Sequence, residues 1–424
     1  MLPSQRCRTR NQTLIPHLLD QHMRNDPFLI DFGTTENYLI RDRILNCEKS
    51  EQGIRECDLS YDQGIGGNLE ARKAIAGLIN TTGVFNPRSS VQDTQIVLAP
   101  GASGALSALI EQLCDPGDAV MISTPYWSGL DLAISVHKDA VTLPVHIPLE
   151  KLFTVESIPF YERAMDESLV PVKAILVCNP HNPLGCCYPK EVLQALLAMC
   201  DRRGLHYISD EVYGLSVHND HALLQKKDGF ISALSIDYNE SSVHVLYSLS
   251  KDFGCSGIRL GAIISQNNVA VRFGAALTVH GQVSSAASLF ATRSILRPEN
   301  IDFVVVHNGA ILQKAYLRVK NFLLANGIAF IPATAGMFVF AQLCPNAEAQ
   351  TEKEFQKRLK VVGLSLSAGT SYHYTEPGWF RICYAVEGSV LSEGLRRLNE
   401  CLNPGREKIL PFMKNTPESN AESC

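Results

Sequence analysis

The stretch "YSLSKDFG" (residues 247–254) holds a lysine whose position suits covalent chemistry. Lys251 follows the apolar run "SVHVL", which reads as a buried strand, and it is set among Ser248, Ser250 and Asp252. A lysine at a strand end, shielded from water, loses its proton near neutral pH and forms an imine with a carbonyl. Arg259 follows eight positions on, beyond a glycine-containing turn that can bring its guanidinium back beside the lysine. A guanidinium grips a phosphate through two parallel hydrogen bonds.

Four further stretches carry chemistry. In "PGASGAL" (100–106) a glycine turn opens a helix, and the free N–H groups at Gly101, Ala102 and Ser103 form a cup for an anion. The stretch "NPHNPLG" (179–185) places two Asn-Pro steps after an apolar strand, a rigid turn that holds Asn182 toward the strand ends. In "SDEVY" (209–213) Asp210 is expected to be buried and needs a cationic or N–H partner, for which a protonated ring nitrogen or an ordinary ion pair would serve. In "EPGWFRICYA" (376–385) Arg381 sits inside an apolar strand, where a planar anion such as a carboxylate suits it, an internal salt bridge being the alternative.

The elements that must position these groups are short apolar runs alternating with helical stretches, the pattern of a mainly parallel buried sheet flanked by helices. "TQIVLAP", "DAVMISTP", "VKAILVCNP", "LHYISDEVY" and "SVHVLYSLSK" read as five strands. "PKEVLQALLAMCDRRG" reads as a helix with Val192, Leu193, Leu196, Leu197 and Cys200 on one face and Gly204 as its stop. Ligands of such sheets bind at the carboxyl edge of the strands, where every polar cluster above falls. After Asn267 the pattern turns helical, and "AGMFVFAQL", "VGLSLSAG" and "WFRICYA" read as strands of a smaller α+β domain. The expected division is an N-terminal arm (1–25), a segment packing with the small domain (26–60), a large domain (61–300), a small domain (301–403) and a disordered tail (404–424).

The 424 residues suit two domains, and the 46% apolar and 19% charged content is ordinary for a globular chain. A net charge of -5 with no basic cluster disfavours nucleic acid as a partner. There is no apolar run of about 18 residues and no secretory signal core, so a cytoplasmic location without membrane contact is expected. The 13 cysteines are scattered and read as reduced core thiols, and the 12 histidines form no metal-ligand spacing. No Walker loop and no G-x-G-x-x-G fingerprint occurs, which disfavours a dehydrogenase.

Taken in order, these residues resemble the class I/II aminotransferase family of pyridoxal-phosphate (PLP) enzymes over roughly Asp26 to Leu402. "SLSKDFG", "TPYW" and "EPGWFR" resemble its 1-aminocyclopropane-1-carboxylate (ACC) synthase-like branch in particular. The resemblance implies an aspartate aminotransferase-like fold, a homodimer and PLP held on Lys251, which would also move the substrate's Cα proton. It implies Asp210 as partner of the pyridinium nitrogen, Asn182 and Tyr213 on the phenolic oxygen, and Trp127 stacked on the ring with Tyr126 beside it. Ala102, Ser103, Ser248, Ser250 and Arg259 match the phosphate grip, and Arg381 the arginine for the substrate α-carboxylate. Glu36, in "GTTENYL", falls where ACC synthases carry a glutamate that handles the sulfonium substrate. Ile65 departs from that branch, whose members place there an aromatic that reaches the neighbouring subunit's site; Tyr61 is nearby at a different spacing. This weighs against S-adenosylmethionine as substrate.

Both elimination and transamination begin with loss of the Cα proton, so the motifs leave the reaction type open. The branch resemblance and Glu36 favour a carbon-sulfur lyase. An aminotransferase acting on a hydrophobic or specialised amino acid is the alternative, and a non-catalytic regulator is disfavoured by the intact site residues.

Overall fold

The computed structural model describes residues 28–46, 65–218, 229–345 and 348–403; the expected arm (1–25), the tail (404–424) and Tyr61 lie outside these. Strands are β1 (Ile30–Asp31), β2 (Ile96–Ala99), β3 (Ala119–Thr124), β4 (Val141–His146), β5 (Val172–Cys178), β6 (His206–Asp210), β7 (Val243–Ser248), β8 (Gly261–Ile264), β9 (Phe330–Ile331), β10 (Phe338–Gln342), β11 (Leu364–Ser365), β12 (Ser367–Ala368) and β13 (Trp379–Cys383).

The main sheet has seven strands in the order β2-β8-β7-β6-β5-β3-β4. All five expected strands are in it. The two added ones are β4 and β8. Pro144 in the middle of β4 removes a backbone donor and disguises the strand, and β4 takes an edge position, where that loss is tolerated. The four-residue β8 is too short to show a period, and it pairs antiparallel with both β2 and β7. Six strands therefore run one way and β8 runs against them.

Every residue of β2, β3, β7 and β8 is buried, as a sheet covered on both faces requires. Alternation sorts the side chains into two cores. Val97, Val120, Ile122, Leu176, Ile208, Leu246 and Ile263 pack on one face with the helices Gly101–Leu113 and Val269–Thr278. Leu98, Met121, Ile175, Val177, Tyr207, Val245 and Ile264 pack on the other, with helices that include Lys190–Arg203. That last helix buries the five expected residues together with Met199 and stops at Gly204, whose φ of 66° is left-handed.

A second, antiparallel sheet, β12-β13-β10-β9, builds its own core with the helices Gly309–Ala325, Ala349–Val361 and Gly388–Leu402. The chain's early segment joins it: β1 pairs parallel with β11, and Phe32 is fully buried in that core. Among the described residues no helix is long and apolar enough to cross a membrane.

Candidate active site

The turn after β7 fixes Lys251. Ser248 ends the strand and caps the short helix Leu249–Asp252, its hydroxyl accepting from the Ser250 amide at 3.2 Å and pairing with the Ser250 hydroxyl at 2.8 Å. Asp252 is fully buried. One of its carboxylate oxygens accepts from the Leu215 amide and the Tyr247 hydroxyl at 3.0 and 3.1 Å, the other from the Ser216 hydroxyl at 2.6 Å. This ties the lysine's helix to the loop that follows Asp210. The Lys251 amine donates to the Thr35 carbonyl at 2.7 Å. Burial, with the nearby Arg381 charge, pulls its pKa down to about 8.

Asp210 ends β6 and is buried, so the loss of hydration raises its pKa to about 6 against the lowering effects of the Val212 amide and of Lys251. Its Oδ1 has no hydrogen-bond partner among the described residues. An orphaned buried carboxylate oxygen is costly, and a pyridinium N–H satisfies it, so this residue fits PLP. Next to it Glu211 is fully buried and accepts from Ser209, Ser232 and the Ala233 amide at 2.6–2.8 Å, which anchors the loop from below.

Arg381 comes from β13 of the second sheet, where it is paired in register with Phe340 and Ser367. It is 4% exposed, yet no carboxylate of the described residues forms a salt bridge with it. Nη1 donates to Asn182 Oδ1 at 2.8 Å, Nη2 to the Gly33 carbonyl at 2.6 Å, and Nε has no partner among the described residues. The Phe338 and Tyr372 rings lie 5.1 and 5.0 Å from its guanidinium carbon. A buried cation satisfied only by neutral groups fits an incoming carboxylate. Asn182, with its oxygen taken by Arg381, keeps its NH2 to donate. Tyr213 is buried beside Arg381, Cys178 and Asp210, and burial pushes its hydroxyl pKa well up, so it remains a donor.

The anion cup forms where β2 meets the helix Gly101–Leu113. Arg259, in a left-handed conformation (φ 55°), donates to the Ser256 carbonyl at 2.8 Å and the Pro100 carbonyl at 3.2 Å. A Cβ on Gly101 would lie 2.2 Å from Arg259 Nη2, and one on Gly261 would lie 2.5 Å from the Gly101 carbonyl carbon. The two glycines thus let guanidinium, strand and helix start converge, beside the half-buried Ala102 and Ser103.

Trp127, three residues past β3, folds over Gly129 and is 42% exposed. Tyr126 is buried, stacks on His373 at 4.3 Å and donates to Asp131 at 3.0 Å. Glu36 directly follows Thr35, whose carbonyl accepts from the Lys251 amine at 2.7 Å, and its charge favours the protonated amine. Its carboxylate is paired with Arg41 and accepts from the Ser256 hydroxyl at 2.5 Å. Burial raises its pKa, but the bonds from Ser256 and Arg41 outweigh this and hold it below the usual range. Ile65 is 43% exposed. Sequence reasoning gave no role to Arg41, Ser256, Glu211 or Asp252; the acid directly after each of Asp210 and Lys251, in runs that are otherwise buried, was the available signal for the last two.

A family model for aminotransferase class I and II matches residues 59–398. The probable aminotransferase tcpI of Claviceps purpurea is 46% identical over 97% of this chain and 99% of its own length. A 1-aminocyclopropane-1-carboxylate synthase of Cucurbita pepo is 30% identical over 89% of this chain and 79% of its own. N-succinyldiaminopimelate aminotransferase from Mycobacterium tuberculosis superposes with a TM-score of 0.75, covering 94% and 100% of the two chains at 19% identity, which shows the shared fold. The chain therefore belongs to the class I and II aminotransferase family, an enzyme whose cofactor is pyridoxal phosphate.

Proposed function

We propose that this enzyme is a carbon-sulfur lyase acting at the Cα of an amino acid with sulfur on Cβ or Cγ. The observation that carries this reading is the count of cations at the site. Arg381 alone is buried with no carboxylate partner among the described residues, Arg259 belongs to the phosphate cup, and Arg41 is spent on Glu36. One α-carboxylate is provided for, and among the described residues no further cation is placed at the site for the second carboxylate of a dicarboxylic amino acceptor.

Bound PLP supplies an electron sink for the pair left when a Cα bond breaks. The Lys251 amine would anchor it and would then carry the Cα proton. Asp210 Oδ1 would accept the ring N–H and keep that nitrogen protonated. Asn182 Nδ2 and Tyr213 would hold the phenolic oxygen. The amides of Ala102 and Ser103, the hydroxyls of Ser248 and Ser250, and Arg259 would hold the phosphate, and Trp127 would stack on the ring. Arg381 takes the substrate carboxylate in place of the Gly33 carbonyl, with Tyr126 on the substrate side. For a β-thioether the Cα–H and Cβ–S bonds break, the thiolate leaves with a proton, and water hydrolyses the released aminoacrylate to a keto acid and ammonium.

Transamination is the second reading, favoured by the name of the 46%-identical relative. Mass spectrometry of products from an S-alkyl cysteine separates the two. Thiol, pyruvate and ammonium in equal amounts are expected, and amino exchange with an added keto acid without C–S cleavage would replace the lyase reading.

We also propose that the working unit is a homodimer with an amino acid as its small-molecule partner. The helix Val269–Thr278 leaves Val269, Phe273 and Leu277 exposed by 54%, 55% and 64% on one stripe, an apolar surface suited to a second copy. Sedimentation is expected at twice the chain mass; a fully active monomer would contradict this.

A further inference from the structure

Glu36 and Arg41 bear on which sulfur compound the site accepts, a question that rests on the lyase reading above. Arg41 is locked from three directions. Nη2 pairs with one Glu36 oxygen, Nε donates to the Gly254 carbonyl at 3.1 Å, and the Tyr38 ring lies 4.0 Å from the guanidinium carbon. The other Glu36 oxygen is taken by Ser256. Gly254, at φ 64°, permits this packing, since a Cβ there would fall 2.4 Å from the Asn37 carbonyl oxygen. The two side chains are 34% and 22% exposed, so the pair is partly withdrawn from water.

A carboxylate can attract a cationic substrate group only while its charge is uncompensated. Here both oxygens are engaged and a guanidinium stands beside them. A sulfonium entering this subsite would meet a neutral pair at best and the Arg41 charge at worst, whereas an uncharged thioether loses nothing.

We propose that Arg41 is a specificity-determining residue: by neutralising Glu36 it makes the subsite beside Lys251 select uncharged thioether side chains and reject sulfonium cations.

Methionine and S-methylmethionine share one skeleton and differ by a methyl group and a positive charge, so they isolate the effect. Dissociation constants are read on the holoenzyme from the change in cofactor absorption during titration. The wild type is expected to bind methionine at least about tenfold more tightly. Arg41→Gln is expected to move the ratio about tenfold toward the sulfonium, in a salt-sensitive way, and Glu36→Gln added to it should abolish that shift. Arg41→Lys should keep the wild-type ratio. If Arg41→Gln fails to fold, the single variant Glu36→Gln decides: its ratio should move further toward methionine. A wild type that prefers the sulfonium, or a ratio that does not respond to either substitution, overturns the charge assignment alone. A holoenzyme whose absorption responds to neither amino acid overturns this inference, whereas the lyase reading stands or falls on the S-alkyl cysteine products.

Discussion

Lys251→Ala protein is expected to emerge from desalting colourless, with no cofactor that borohydride can fix to the chain, and with turnover reduced by roughly 10²–10⁴-fold or more. The loss follows from the proposed roles, in which one amine both anchors the cofactor and carries the proton, and no second lysine amine is placed at the site by the contacts described. The side chain donates only to the Thr35 carbonyl, and truncation leaves the supporting Asp252 network untouched, so the variant should melt close to the wild type. The pKa of about 8 adds a pH test. A lowered lysine pKa means that the reactive, uncharged amine accumulates as pH rises through this value. The rate at which cofactor-free wild type recaptures PLP should therefore climb between about pH 7 and 9 and then level off. Retention of a borohydride-fixable cofactor in the alanine variant would remove Lys251 from the mechanism.

The second large effect belongs to Asp210. Asparagine matches its shape but cannot hold a ring nitrogen protonated. Asp210→Asn is expected to lower turnover by roughly 10²–10³-fold, the scale of losing a pre-organised electrostatic partner, while the cofactor remains fixable on Lys251. Cofactor affinity should also weaken, because in the proposed arrangement the orphaned Oδ1 gains its partner from bound PLP. Wild-type turnover in Asp210→Asn would show that the ring nitrogen is held elsewhere. The variant should not be less stable than the wild type without PLP, since it removes a desolvated carboxylate that lacks a full set of partners.

Much of the candidate site was legible because chemistry and local punctuation coincide. Lys251, Asp210 and Asn182 each stand just after an apolar run, and a strand end is where a side chain can be both shielded and reachable. Arg381 was legible because a guanidinium inside "WFRICYA" has no cheap reason to be buried. Arg41 and Ser256 were not, since they meet only through Glu36 and lie far apart in sequence; nothing local to "IRDR" or "CSGI" marks them. In the fold, strand period revealed the long central strands. It failed at β4, where proline interrupts it, and at β8, whose reversed direction is a matter of pairing and not of composition.

That reversed strand has a mechanical consequence. Because β8 returns directly alongside β7, Lys251 and Arg259 are carried by one hairpin, with Gly261 in register with both Ser248 and Ala99. The hairpin is a ruler that sets the distance between the Lys251 amine and the proposed phosphate grip, and adding or removing a single residue in 253–258 would misset it. Arg381 is mounted separately, on β13 of the other sheet. Any displacement of that sheet would carry the proposed carboxylate grip toward or away from Lys251 and Arg259, the two proposed cofactor anchors, whose own spacing the hairpin keeps.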